Sequence, residues 1–158
     1  MKILQAKNIT VSVCAFVVLS IAIALSYKLG FILLHNLFAT PELSYSLLVN
    51  SGYQLTTRQL LSSLLLAPVF ETVIFVVLVH SVMMRISNNV GFYVFVSAFL
   101  FGLIHASSLF IQLGAFCVGI IFAFSYVYYL KRTEGSKDKA ALFVMLIHAM
   151  YNFVFLHL

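Results

Sequence analysis

Four polar side chains stand inside long apolar runs of this chain: Glu71, His105, His148 and Asn152. An ionisable group in hydrocarbon costs roughly 2.5–3.5 kcal/mol on insertion scales, so each such group is a functional candidate by default. Glu71 is the only acid deep in an apolar run, with Arg58 13 residues before it and Arg85 14 after. At ~1.5 Å per helical residue each arginine is about 20 Å away, which puts the carboxyl near the bilayer midplane. His148 lies nine residues from Lys139, at a similar depth, and Asn152 follows it by four on the same helix face. His105 is 16 residues from Asn89 and falls in the outer half. Two reactions fit these side chains. In one, Glu71 and a histidine activate water as general base while His148 and the Asn152 amide donate to the oxyanion that develops on a peptide carbonyl. In the other, Glu71, His105 and His148 bind a zinc ion that activates the water. Both cut a peptide bond inside the membrane. Spacing leaves them open, because the three ligands come from different helices and no His-Glu-x-x-His run is present.

The elements that must position these groups follow from composition. The chain has 158 residues, 63% hydrophobic and 8% charged. Soluble proteins are roughly 45–50% apolar, so disorder, collagen-like repeats and a water-soluble globule are excluded, and an integral membrane protein remains. Crossing a hydrocarbon core takes about 20 apolar residues. Five stretches supply them, at about 9–30, 57–84, 89–106, 109–130 and 140–157. The expected fold is an all-α, polytopic membrane bundle of about five transmembrane helices. It forms a single integral membrane domain over 1–158, with the motif-bearing core at about 57–158. The first run has no small-residue cleavage site and reads as a retained anchor. The turn at Ala106 to Leu109 makes the third and fourth helices an antiparallel hairpin. If all five cross, Lys2, Lys7, Arg85, Lys131, Arg132, Lys137 and Lys139 fall on one side, against Arg58 and at most Lys28 on the other. The net charge of +5 is then a topology signal and not a nucleic-acid footprint, with the N-terminus cytoplasmic and the C-terminus outside.

Other polar and sulfur-bearing residues read as structural. Cys14 and Cys117 are expected to be small core residues, the methionines packing, and Tyr126, Tyr128 and Tyr129 an interfacial belt. His35, His80 and His157 sit near span ends, where an interfacial imidazole needs no function. Pro68, three residues before Glu71, removes a backbone donor, which frees a carbonyl near the site and makes room for water or substrate.

At these residues the chain resembles the CPBP family of intramembrane proteases, which includes the CAAX prenyl endopeptidases and bacteriocin-processing enzymes. The family's motifs are Glu-Glu-x-x-x-Arg after Ala-Pro, Phe-x-x-x-His, and His-x-x-x-Asn. Here they read Ala67-Pro68-Val69-Phe70-Glu71-Thr72-Val73-Ile74-Phe75-Val76, Phe101 to His105, and His148 to Asn152. Thr72 stands where the family has its second glutamate and Val76 where it has arginine. Those positions are one helix turn apart and suit an ion pair, so losing both leaves no orphan charge. The resemblance implies a glutamic-type protease without a cofactor: Glu71 and His105 activate water, and His148 and Asn152 form the oxyanion pocket. It also implies a membrane-anchored peptide or protein substrate and a bacterial cytoplasmic membrane. The short chain is similar to bacterial enzymes that process C-terminal sorting signals, including the JDVT-CTERM group. A site in the outer half suits an exported, membrane-tethered substrate better than a prenylated cytoplasmic one. The competing classes are an inactive relative that binds a peptide partner and a small proton-coupled carrier. The lack of visible inverted repeats argues against the carrier.

Overall fold

A computed structural model describes residues 56–105 and 109–157, together with 13–19, 21–22, 25–26, 29–30 and 33. The protein is an all-α membrane bundle. Four helices carry the described core: α1 (Thr57–Ile86), α2 (Val90–Ile104), α3 (Leu109–Arg132) and α4 (Lys137–His157). Among the described residues α1, α3 and α4 are long and apolar enough to cross a membrane, whereas α2, at 15 residues, is shorter. The described parts of 13–33 are helical, and Phe16 packs its ring on α3 against Phe124, Tyr128 and Tyr129. The remainder of the first expected span, with His35, lies outside the described residues.

Short-range signals set the helix starts. Thr56 and Gln59 form a reciprocal capping box before α1, and the Asn89 side chain accepts from Phe92 N–H at the start of α2. Between α3 and α4 the chain reverses at Glu134 and Gly135, both with positive φ, and Gly135 N–H donates to Leu130 C=O. Successive helices are antiparallel. Lys137 meets Ser81, His148 meets Glu71 and Asn152 meets Ser63, so α4 runs against α1.

Lipid tails are as apolar as leucine, so helices in a bilayer associate by close packing and by polar contacts. The α2–α3 pair shows the first. A Cβ on Gly119 would lie 2.9 Å from Ala98 Cα, and one on Gly102 would lie 2.9 Å from the Gln112 carbonyl oxygen. Two glycines therefore let the backbones touch, as the expected hairpin requires. Around this contact Tyr93, Phe101, Phe122, Tyr126, Tyr129, Val144 and Ile147 form the core. Outward-facing leucines and phenylalanines such as Leu65, Phe70, Phe99 and Phe124 are exposed toward the acyl chains.

Three expectations change here. Tyr126 and Tyr129 are fully buried and form no belt; only Tyr128 is placed for one, with the Arg132 guanidinium 5.3 Å from its ring centre. His80 is 9% exposed, held between the rings of Tyr93 and Tyr126, because the helix face that carries it turns inward. Cys14 and Cys117 are free thiols on the exposed surface and not in the core, since apolar residues in a bilayer protein face out as readily as in. Substituting Gly119 by alanine forces its methyl against backbone. It should lower stability by about 1–3 kcal/mol, read from denaturant unfolding in detergent.

Candidate active site

Glu71 owes its position to two departures of α1 from α-helical geometry. Residues Ser62–Leu66 and Thr72–Leu78 are π-helical, and Glu71 closes the five-residue α segment Ala67–Glu71 between them. Pro68 explains the first. In the wide turn Ala67 N–H donates to Ser62 C=O, five residues back. The next donor in that register would be Pro68, which has no N–H, so the Ser63 carbonyl is left without a helical partner. Asn152 of α4 fills the vacancy, its Nδ2 donating to Ser63 C=O at 2.8 Å. The freed carbonyl expected from Pro68 is thus present, and a side chain from another helix takes it. One amide hydrogen of Asn152 is used in this way, and the other stays free for an acceptor.

The wide turns also align a stripe. At 3.6 residues per turn a four-residue repeat drifts round a helix, whereas π turns close bonds five apart and hold it in line. Pro68, Thr72, Val76 and His80 are accordingly the buried positions of this face. Glu71 lies at the edge of the stripe with its side chain 23% exposed.

His148 comes to Glu71 from α4. Its Nε2 is 3.6 Å from the Glu71 carboxylate, and its ring is 2% exposed, lying on Phe122 at 4.4 Å and edge-on to Phe101 at 5.8 Å. Nε2 faces the carboxylate, and the buried Nδ1 has no hydrogen-bond partner. His105 caps α2. Its backbone N–H turns to Gly102 C=O, three residues back, and this leaves the Phe101 carbonyl to accept from its imidazole Nδ1–H at 2.7 Å. In the neutral ring Nε2 then keeps its lone pair. The Phe101 ring centre is 4.7 Å from that of His105, so one phenylalanine contacts both imidazoles.

The structure brings Glu71 and His148 together, sets His105 and His148 against the same Phe101 ring, and places Asn152 one turn beyond His148, joined to α1. Among the described residues no three His, Cys, Asp or Glu side chains converge as a metal-holding group, and the Phe101 ring contacts both imidazoles. The zinc arrangement does not fit this geometry. Sequence reasoning missed the Ser63 carbonyl and the roles of Phe101 and Phe122. Pro68 signalled a freed carbonyl, but α-helical spacing points to Leu64, and only the π turn makes it Ser63.

Long apolar helices packed as an all-α bundle, with one buried imidazole and a half-buried carboxyl, imidazole and amide between them, define a multi-pass membrane protein. The chain belongs to the type II CAAX prenyl endopeptidase Rce1-like family, whose model matches residues 53–154, and that family is one of intramembrane proteases. No curated protein and no solved structure matches the chain.

Thr72 and Val76, which replace two charged positions of the family motif, are 1% and 3% exposed. Neither slot has room for a solvated charge. Val76→Arg alone should cost about 3–5 kcal/mol, as an unpaired buried charge does. Thr72→Glu with Val76→Arg should recover most of that loss, measured by denaturant unfolding in detergent.

Proposed function

We propose that this protein is an intramembrane endopeptidase of glutamic type, acting on a membrane-anchored peptide or protein. The observation that carries the reading is the Glu71–His148 approach of 3.6 Å between α1 and α4, beside a His105 whose Nε2 is bare. Glu71 takes a proton from water, with the His105 lone pair orienting that water, and the water oxygen bonds to the scissile carbonyl carbon. The oxyanion that forms accepts from His148 Nε2–H and from the second amide hydrogen of Asn152. The C–N bond then breaks, the proton held by Glu71 passes to the leaving amine, and a carboxylic acid and an amine are released. Thr72 and Val76 touch none of these steps, so the missing charges of the first motif do not by themselves remove the reaction.

We further infer a bacterial cytoplasmic membrane location, with the basic end of the bundle cytoplasmic and the N-terminus on that side. Glu71 and His148 lie 15 and 11 residues from the ends of α1 and α4 at the basic side, about 22 and 16 Å away. That depth favours an exported, membrane-tethered substrate, such as a protein with a C-terminal sorting signal.

Glu71→Gln and His105→Ala should each abolish processing of a co-expressed candidate substrate, a loss of at least about 100-fold for a general base. A chelator should leave the wild type active. Processing that survives both substitutions overturns the enzyme reading and favours a peptide-binding relative, whereas chelator sensitivity reversed by zinc overturns the glutamic mechanism. For orientation, in a cysteine-free background Thr56→Cys should react with an impermeant thiol reagent added outside intact cells, and Ser136→Cys should not.

A further inference from the structure

Hydrolysis consumes one water for every bond cut, and the outward approach to Glu71 is apolar. Its neighbours Val69, Phe70, Val73 and Ile74 are exposed side chains that face acyl chains. Water arriving by another way needs an interior path lined with polar atoms.

Four buried side-chain atoms of the described residues have no hydrogen-bond partner: Thr72 Oγ1, His80 Nδ1, Tyr126 Oη and His148 Nδ1. Their residues are between 0% and 9% exposed. An unmet buried polar group is destabilising, so four together call for a common cause. They share a place. Thr72 and His80 lie on the inward stripe of α1, Tyr126 meets His80 ring to ring at 5.1 Å, and His148 abuts Glu71, the residue before Thr72.

Polar atoms also lie between the Thr72–His148 pair and the His80–Tyr126 pair. The π turn presents the Phe75 and Val76 carbonyls sideways to α2, where Ser97 Oγ and Tyr93 Oη donate to them at 2.6 and 3.3 Å. Each hydroxyl oxygen retains acceptor capacity, and each carbonyl a second lone pair. At the far end Ser81, next to His80, meets Lys137 Nζ at 3.5 Å, where the bundle becomes basic. From Lys137 to His148 is 11 residues of α4, about 16 Å, which oxygens spaced about 2.8 Å apart span in roughly six steps.

We propose that these groups line an internal file of water that connects the basic end of the bundle with the Glu71–His148 pair. Buried water commonly makes about three hydrogen bonds to groups that otherwise have none, and Thr72, His80, Tyr126 and His148 supply such groups at both ends. The file rests on the proposed protease reading for the use of its water, and on the buried polar atoms for its existence.

Water-edited solid-state NMR on the full chain in liposomes, with 15N-labelled histidine and uniformly labelled backbone, tests this directly. Magnetisation from water should reach the His80 and His148 rings several times faster than the Ala98 amide in the core. Tyr126→Phe removes one oxygen at the basic end and should slow transfer at least about twofold at His80 and also at the distant His148. Thr72→Val should slow transfer at His148 alone. Rings as slow as Ala98 in the wild type would overturn the file, and so would a Tyr126→Phe effect confined to His80, which describes separate pockets. Glu71→Gln should keep transfer to His80. Transfer present in a protein whose processing survives Glu71→Gln would retain the file and discard the catalytic assignment.

Discussion

In hydrocarbon every backbone N–H and C=O must find its partner inside the protein, and in α1 that rule is broken at one carbonyl and repaired from another helix. Pro68 cannot donate to Ser63, and the Asn152 amide does so instead. The bond does more than satisfy an acceptor. It joins α4 to α1 at the level where α1 is π-helical, keeps the wide turn open, and so sets the angle at which the following residues leave the axis. Glu71 is three residues after the proline, and His148 is one turn before the asparagine. The carboxyl and the imidazole are brought to 3.6 Å by the same pair of helices that this bond joins.

The second anchor is the α2–α3 contact. Without Cβ atoms at Gly102 and Gly119 the two backbones pack closely enough for Phe101 to reach across to Phe122 and His148. Phe101 acts twice, through its ring on both imidazoles and through its carbonyl, which holds the Nδ1 hydrogen of His105. The carbonyl is available because α2 ends in a three-residue bond. Helix termination thus decides the tautomer of a side chain at the site. Where the family carries a glutamate and an arginine, this chain has Thr72 and Val76 within a face too well buried for either charge alone.

The spans, their antiparallel order and the three motifs could be read directly from the residues. The reason is local: apolar runs of about 20 residues have one solution in a bilayer, and His148 with Asn152 must share a face at any ordinary helical pitch. Counting along the helices also put Glu71 and His148 at one level, where the structure has them 3.6 Å apart. Reading His80 and Tyr126 as interfacial failed because position along a helix says how deep a residue lies and not which way it points. The π turns were invisible for a related reason. A repeat of buried residues at 68, 72, 76 and 80 drifts in a regular α-helix, and only the wider turn makes it a face.

The amino-acid sequence therefore determined that this is a helical membrane protein, where its helices run, and which polar groups lie at matching depth, since each depends on composition and on spacing along one rod. Tertiary structure alone decided which of those groups meet. Azimuth, tautomer and the partner of a freed carbonyl are set by contacts between helices, and a linear count of residues carries no information about rotation once the helix leaves its regular pitch.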